Sequence, residues 1–81
     1  MKIGIVGLGY VGIQLAIVFA RQYETIGFDL DEEKLAAYRL GRDPTGEVSR
    51  VELTSVTKLT FTSEPSELVG CDIYIVAVPT P

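Results

Sequence analysis

Apolar and polar positions along this chain fall into short blocks, each with its own period. Ile3, Ile5 and Val6 form a β-branched run of the kind a strand buried on both faces needs. Val11 to Ala20 is apolar nearly all round, which predicts a helix from about Tyr10 to Gln22 covered on more than one side. Val11, Leu15, Val18 and Phe19 lie along one face of it, and Ile13, Ile17 and Ala20 widen that face. Thr25 to Phe28 reads as a second strand. Asp31 then stands as N-cap of a second helix, with Glu32 and Glu33 in its first turn, Leu30 and Leu35 placed for a hydrophobic staple, and Gly41 as the stop.

The stretch Arg42–Val48 is a polar loop with Pro44 and Gly46. Ser49 and Glu52 form a capping-box pattern that predicts a short helix over about Arg50–Val56. Lys58–Thr62 alternates and is rich in β-formers, so it is the third strand. Pro65 to Leu68 predicts one or two helical turns closed by Gly70. Asp72–Val78 is a near-continuous apolar run, the mark of a central strand, and Pro79-Thr80-Pro81 ends it.

Alternating strands and helices predict an α/β fold with a parallel sheet and right-handed crossovers. The expected form is a Rossmann-type sheet with helices on both faces, strand order 3-2-1-4. Eighty-one residues hold one βαβαβ half and the start of the next, so the fold is expected to be incomplete. Residues 1–81 are therefore expected to be the N-terminal portion of a dinucleotide-binding domain, with the rest of that domain and any substrate domain outside them. Strand four would be left as an open edge, which invites association with another copy.

The first turn carries the chemistry. Gly7, Gly9 and Gly12 follow strand one directly in the spacing G-x-G-x-x-G. Gly7 permits the tight turn, Gly9 removes a Cβ where a diphosphate must approach, and Gly12 lets the helix lie close to the strand. The helix beginning near Tyr10 aims free N–H groups and the positive end of its dipole at the same place. The glycine pattern alone also fits a plain β–α turn. Asp29 narrows that choice, because it ends strand two 17 residues after Gly12 and 20 after Gly9. That is close to the offset of about 20 expected for an acid on the cofactor ribose. A carboxylate there accepts ribose hydroxyls and repels a 2′-phosphate, and Leu30, Asp31 and Glu32 offer no Arg in compensation. NAD is favoured over NADP, while FAD could use the same acid.

Composition removes other classes. Seven basic against eleven acidic residues, net charge −4, leave no basic footprint for a nucleic acid. With no His in the chain, His-based catalysis and His metal sites are excluded. The one Cys, Cys71, allows no internal disulfide and fits a reducing, cytoplasmic setting; it reads as a small buried thiol. The apolar Val11–Ala20 stretch is too short to span a bilayer, so no membrane partner is expected.

Three segments resemble one family, the nucleotide-sugar dehydrogenases that oxidise UDP-glucose, UDP-N-acetylmannosamine and related sugars. They are K-I-G-I-V-G-L-G-Y-V-G at 2–12, G-F-D-L-D-E-E-K at 27–34 and D-I-Y-I-V-A-V-P-T-P at 72–81. T-G-E-V-S at 45–49 is similar to the branch acting on UDP-N-acetylhexosamines. The resemblance implies two NAD-linked oxidations at the sugar C6, alcohol to carboxylate through a Cys thiohemiacetal, in polysaccharide biosynthesis. It places Tyr10 and Val11 over the pyrophosphate, Asp29 on the adenosine ribose, Lys34 beside it, and Val78 and Thr80 near the nicotinamide half. It also implies that the catalytic Cys and Lys lie in later segments, so these residues alone should be inactive. Two other readings share the motif: a 3-hydroxyacid or 6-phosphogluconate-type dehydrogenase, and a non-catalytic nucleotide-sensing domain.

Overall fold

The computed structural model describes residues 1–77. Strand β1 (Lys2–Val6) leads into helix α1 (Tyr10–Ala20), strand β2 (Glu24–Phe28), helix α2 (Glu32–Arg39), helix α3 (Arg50–Ser55), strand β3 (Leu59–Thr62), a 3-10 turn at Pro65–Leu68 and strand β4 (Ile73–Val76). The four strands are parallel in the order β3-β2-β1-β4, as the alternation predicts. Ile3 lies opposite Thr25 on one side and Ile73 on the other, which makes β1 an interior strand.

The core lies between the sheet and the three α-helices. Ile3 and Ile5 of β1 meet Ile13, Ala16 and Ile17 of α1, Leu35 and Tyr38 of α2, Val48 and Leu53. On α1 the buried stripe is Gly12, Ile13, Ala16, Ile17 and Ala20, whereas Val11 and Val18 are about half exposed. The helix is apolar on two faces, and its small residues decide which one meets the sheet. Gly12, Ala16 and Ala20 recur every four residues, so that face allows the closest approach.

The helix ends follow their side chains. Asp31 accepts from the N–H groups of Glu33 and Lys34, and Ser49 and Glu52 form the reciprocal capping box. Gly41, at φ +80°, ends α2: its N–H donates to Tyr38 O, and that of Arg42 to Ala37 O. The staple expected ahead of α2 does not form, because Leu30 is 76% exposed while Leu35 is buried. Asp29 fixes the chain's entry instead, accepting from the Asp31 N–H at 2.9 Å.

Among the described residues β4 pairs only with β1 and stands at the sheet edge, with Ile73, Tyr74 and Val76 exposed. The expected run of this strand to Val78 passes outside the described residues. Cys71 precedes β4 at the amino end of the sheet and is partly exposed rather than buried, with its thiol over Gly4. Among the described residues no helix is long and apolar enough to cross a membrane.

Candidate cofactor site

The carboxyl ends of β1 and β2 meet the amino ends of α1 and α2 at one spot. Gly7 makes the turn out of β1 with φ +100°, and its N–H donates to Phe28 O at 2.8 Å, tying the turn to the end of β2. The other two glycines have separable reasons. A Cβ on Gly12 would lie 1.8 Å from the Gly7 carbonyl oxygen, so nothing larger fits between α1 and the turn. Among the described residues, a Cβ on Gly9 would meet nothing within 4 Å. Gly12 is needed for packing within the chain. Gly9 leaves open space at the mouth of the helix, where a bound group can reach the backbone.

Among the described residues, no side chain caps that mouth. Gly9 is the N-cap of α1, gives it no side-chain hydrogen bond, and no acid lies in the first turn. α2 and α3, by contrast, carry Asp31 with Glu32 and Glu33, and Ser49 with Glu52. The first N–H groups of α1 and the positive end of its dipole are thus available to an outside anion. Tyr10 and Val11 stand at this first turn, 56% and 50% exposed.

Asp29 borders the same spot from β2. Its Oδ2 accepts from the Leu8 N–H at 2.9 Å and from Lys34 Nζ at 3.4 Å, and its Oδ1 accepts from the Asp31 N–H at 2.9 Å. Burial pulls its pKa upward, but the Asp31 and Leu8 N–H groups and the Lys34 ammonium outweigh it, leaving the carboxyl below its ordinary range. It is ionised at neutral pH. Three of its roughly four acceptor positions are filled, which leaves one for a ligand hydroxyl. Lys34 uses one of its three N–H donors on Asp29 and can offer another. An ionised acceptor beside an ammonium donor suits a vicinal diol, and the uncapped helix beside them suits a diphosphate. An NAD adenosine diphosphate fits this set of donors and acceptors.

Gly7, Gly9, Tyr10, Val11, Gly12, Asp29 and Lys34 thus gather at one end of the sheet. Val78 and Thr80 lie outside the described residues; pairing of Val6 with Val76 brings the chain ahead of them beside the turn. Two residues of the site have no counterpart in the motif. Leu8, between the glycines, is fully buried, and Gly27 makes room for it, since a Cβ there would lie 3.1 Å from both Leu8 methyl carbons. Tyr38 donates its hydroxyl to Leu8 O at 2.6 Å. The glycine inside strand two is the sequence signal for the first; nothing local signals the second. A hollow of about 590 Å³ between Lys2, Tyr23, Lys58 and Asp72 lies at the amino ends of the strands, away from this chemistry.

Residues 1–81 match the family described as UDP-glucose/GDP-mannose dehydrogenase family, NAD binding domain. Over 81 residues the chain is 42% identical to a UDP-N-acetyl-D-glucosamine 6-dehydrogenase of Pseudomonas aeruginosa, covering all of this chain and 19% of that one. It is 40% identical to the enzyme of the same name from Salmonella typhi, again over all of this chain and 19% of the relative. The fold superposes on a ternary complex of GDP-mannose dehydrogenase from Pseudomonas aeruginosa with TM-score 0.86 at 30% identity, over all of this chain and 20% of that one. The chain therefore spans about a fifth of the length of the curated relatives it matches.

Proposed function

The chain belongs to the UDP-glucose/GDP-mannose dehydrogenase family, as its NAD-binding domain, and from that premise we propose that it is the cofactor-holding part of a longer UDP-sugar 6-dehydrogenase. The substrate we assign is a UDP-N-acetylhexosamine whose C6 hydroxyl is oxidised to a carboxylate, for polysaccharide biosynthesis. The names of the two relatives quoted and the T-G-E-V-S segment at 45–49 support that choice. NAD, when bound, accepts the hydride released from the sugar carbon.

The residues of this chain bind and orient. The first N–H groups of α1 hold the diphosphate, with Gly9 giving it access to the backbone. Asp29 accepts one ribose hydroxyl and Lys34 donates to the other. Tyr10 and Val11 cover the pyrophosphate, while Val78 and Thr80 serve the nicotinamide half. The cytoplasm is the compartment this reading assigns, and a homo-oligomer the assembly.

One observation carries the reading: the ionised, partly open Asp29 carboxylate stands beside a helix mouth that the chain leaves uncapped. The test is to give the full-length protein NAD with UDP-N-acetylglucosamine, UDP-N-acetylmannosamine and UDP-glucose in turn, and to follow NADH. Turnover preferring an N-acetylated sugar is expected. No NADH with any of the three would refute the dehydrogenase assignment.

A further inference from the structure

Leu8, in the middle of the glycine turn, is held at each of the two peptide groups that flank its Cα. Its N–H donates to Asp29 Oδ2 at 2.9 Å, and its carbonyl accepts from the Tyr38 hydroxyl at 2.6 Å. Tyr38 belongs to α2, far along the chain, and is 2% exposed. Its ring stacks on Phe61 with centroids 5.5 Å apart, which fixes where the hydroxyl points. Burial and the carboxylates of Asp43, Asp29 and Asp31 push this hydroxyl well above the ordinary tyrosine range, so it keeps the proton it donates.

A phenylalanine would fill this part of the core without burying a hydroxyl, and a buried hydroxyl costs stability unless a partner meets it. The partner here is the carbonyl of the one residue between Gly7 and Gly9. That carbonyl belongs to the peptide group joining Leu8 to Gly9, and a glycine on one side leaves the plane freer to turn than a larger residue would. Its orientation decides where the Gly9 N–H, which shares the plane, faces.

We propose that Tyr38 is a positioning residue for the cofactor loop: its hydroxyl fixes the Leu8–Gly9 peptide plane, and thereby the opening at Gly9. The proposal rests on the NAD-site reading above. Without the hydroxyl the turn samples other orientations, and the apparent affinity falls with the fraction of chains in the competent one.

The test uses the full-length protein, well below its melting temperature, with Tyr38→Phe and a core control, Leu53→Val. Leu53 is buried on α3 in the same core as Tyr38, and its side chain makes no hydrogen bond to the turn or to Asp29. Tyr38→Phe should raise the NAD Kd about tenfold, the size expected when a buried carbonyl loses its only side-chain partner. The KM for NAD should rise with it, with kcat little changed. Leu53→Val should lower the melting temperature and leave the NAD Kd within about twofold. Unchanged affinity in Tyr38→Phe, or equal loss in both variants, would overturn the proposal while wild-type NAD binding upheld the site. A wild-type protein that binds no NAD would overturn the site itself and the proposal with it.

Discussion

A Cβ on Gly12 would lie 1.8 Å from the carbonyl oxygen of Gly7, so helix α1 rests against the very turn that launches it. This contact places the helix mouth at the end of β1. It also makes Gly12 far less replaceable than Gly9. Gly12→Ala should cost about 3 kcal/mol or more, because the obstacle is backbone and cannot rotate aside. Gly12→Val should do worse and abolish NAD binding as well. Thermal unfolding and an NAD titration check both, and an unchanged melting temperature would show that the contact yields.

Gly9 should behave oppositely. Space for a Cβ is free among the described residues, so Gly9→Ala should leave the melting temperature within a degree or two. NAD affinity should nevertheless drop, because the new methyl occupies the place a diphosphate needs. Equal tolerance of alanine by stability and by binding would remove Gly9 from the site.

Asp43 offers a test in acid. Its carboxylate accepts from the Thr45 N–H and hydroxyl and from the N–H groups of Glu47 and Val48, closing the loop between α2 and α3. Burial acts to raise its pKa, and these donors outweigh it, so the folded value lies below the ordinary 3.8. A lowered folded pKa means the contribution is complete above 3.8 and fades as pH falls below it. Asp43→Asn should therefore cost about 1–2 kcal/mol at neutral pH. The variant's melting temperature should converge on that of the unmodified protein as pH falls below 3.8; a constant gap down to pH 2 would contradict this.

The framework was legible because local signals agreed with one another. The β-branched run at Ile3–Val6, the caps at Asp31 and Ser49 and the stop at Gly41 each follow from side-chain chemistry close by in sequence. What escaped depends on distance. Val11 and Ile17 are equally apolar, and only the packing of Gly12, Ala16 and Ala20 against the sheet sends one outward and the other inward. Tyr38 carries no local signal of its part in the turn, and only the fold brings its hydroxyl to Leu8. The staple at Leu30 failed because Asp29 had already fixed that turn by hydrogen bonds.

The isolated 81 residues should associate with copies of themselves. β4 leaves Ile73, Tyr74 and Val76 exposed along an unpaired edge, which invites strand addition. Sedimentation should show self-association, and incubation with NAD and UDP-sugars should give no NADH. Turnover lost on Cys71→Ser would contradict the placement of that thiol at the amino end of the sheet, away from the cofactor turn.

The central claim is that Asp29 and the mouth of α1 hold the adenosine end of NAD, and calorimetric titration of the full-length protein with NAD and with NADP tests it most directly. NAD should bind far more tightly, because the 2′-phosphate of NADP would meet an ionised carboxylate. Asp29→Ala should weaken NAD about tenfold to a hundredfold, the worth of hydrogen bonds to a charged group, and narrow the gap between the two cofactors. Equal affinity of the unmodified protein for NAD and NADP, or an Asp29→Ala variant with unaltered preference, would contradict the account.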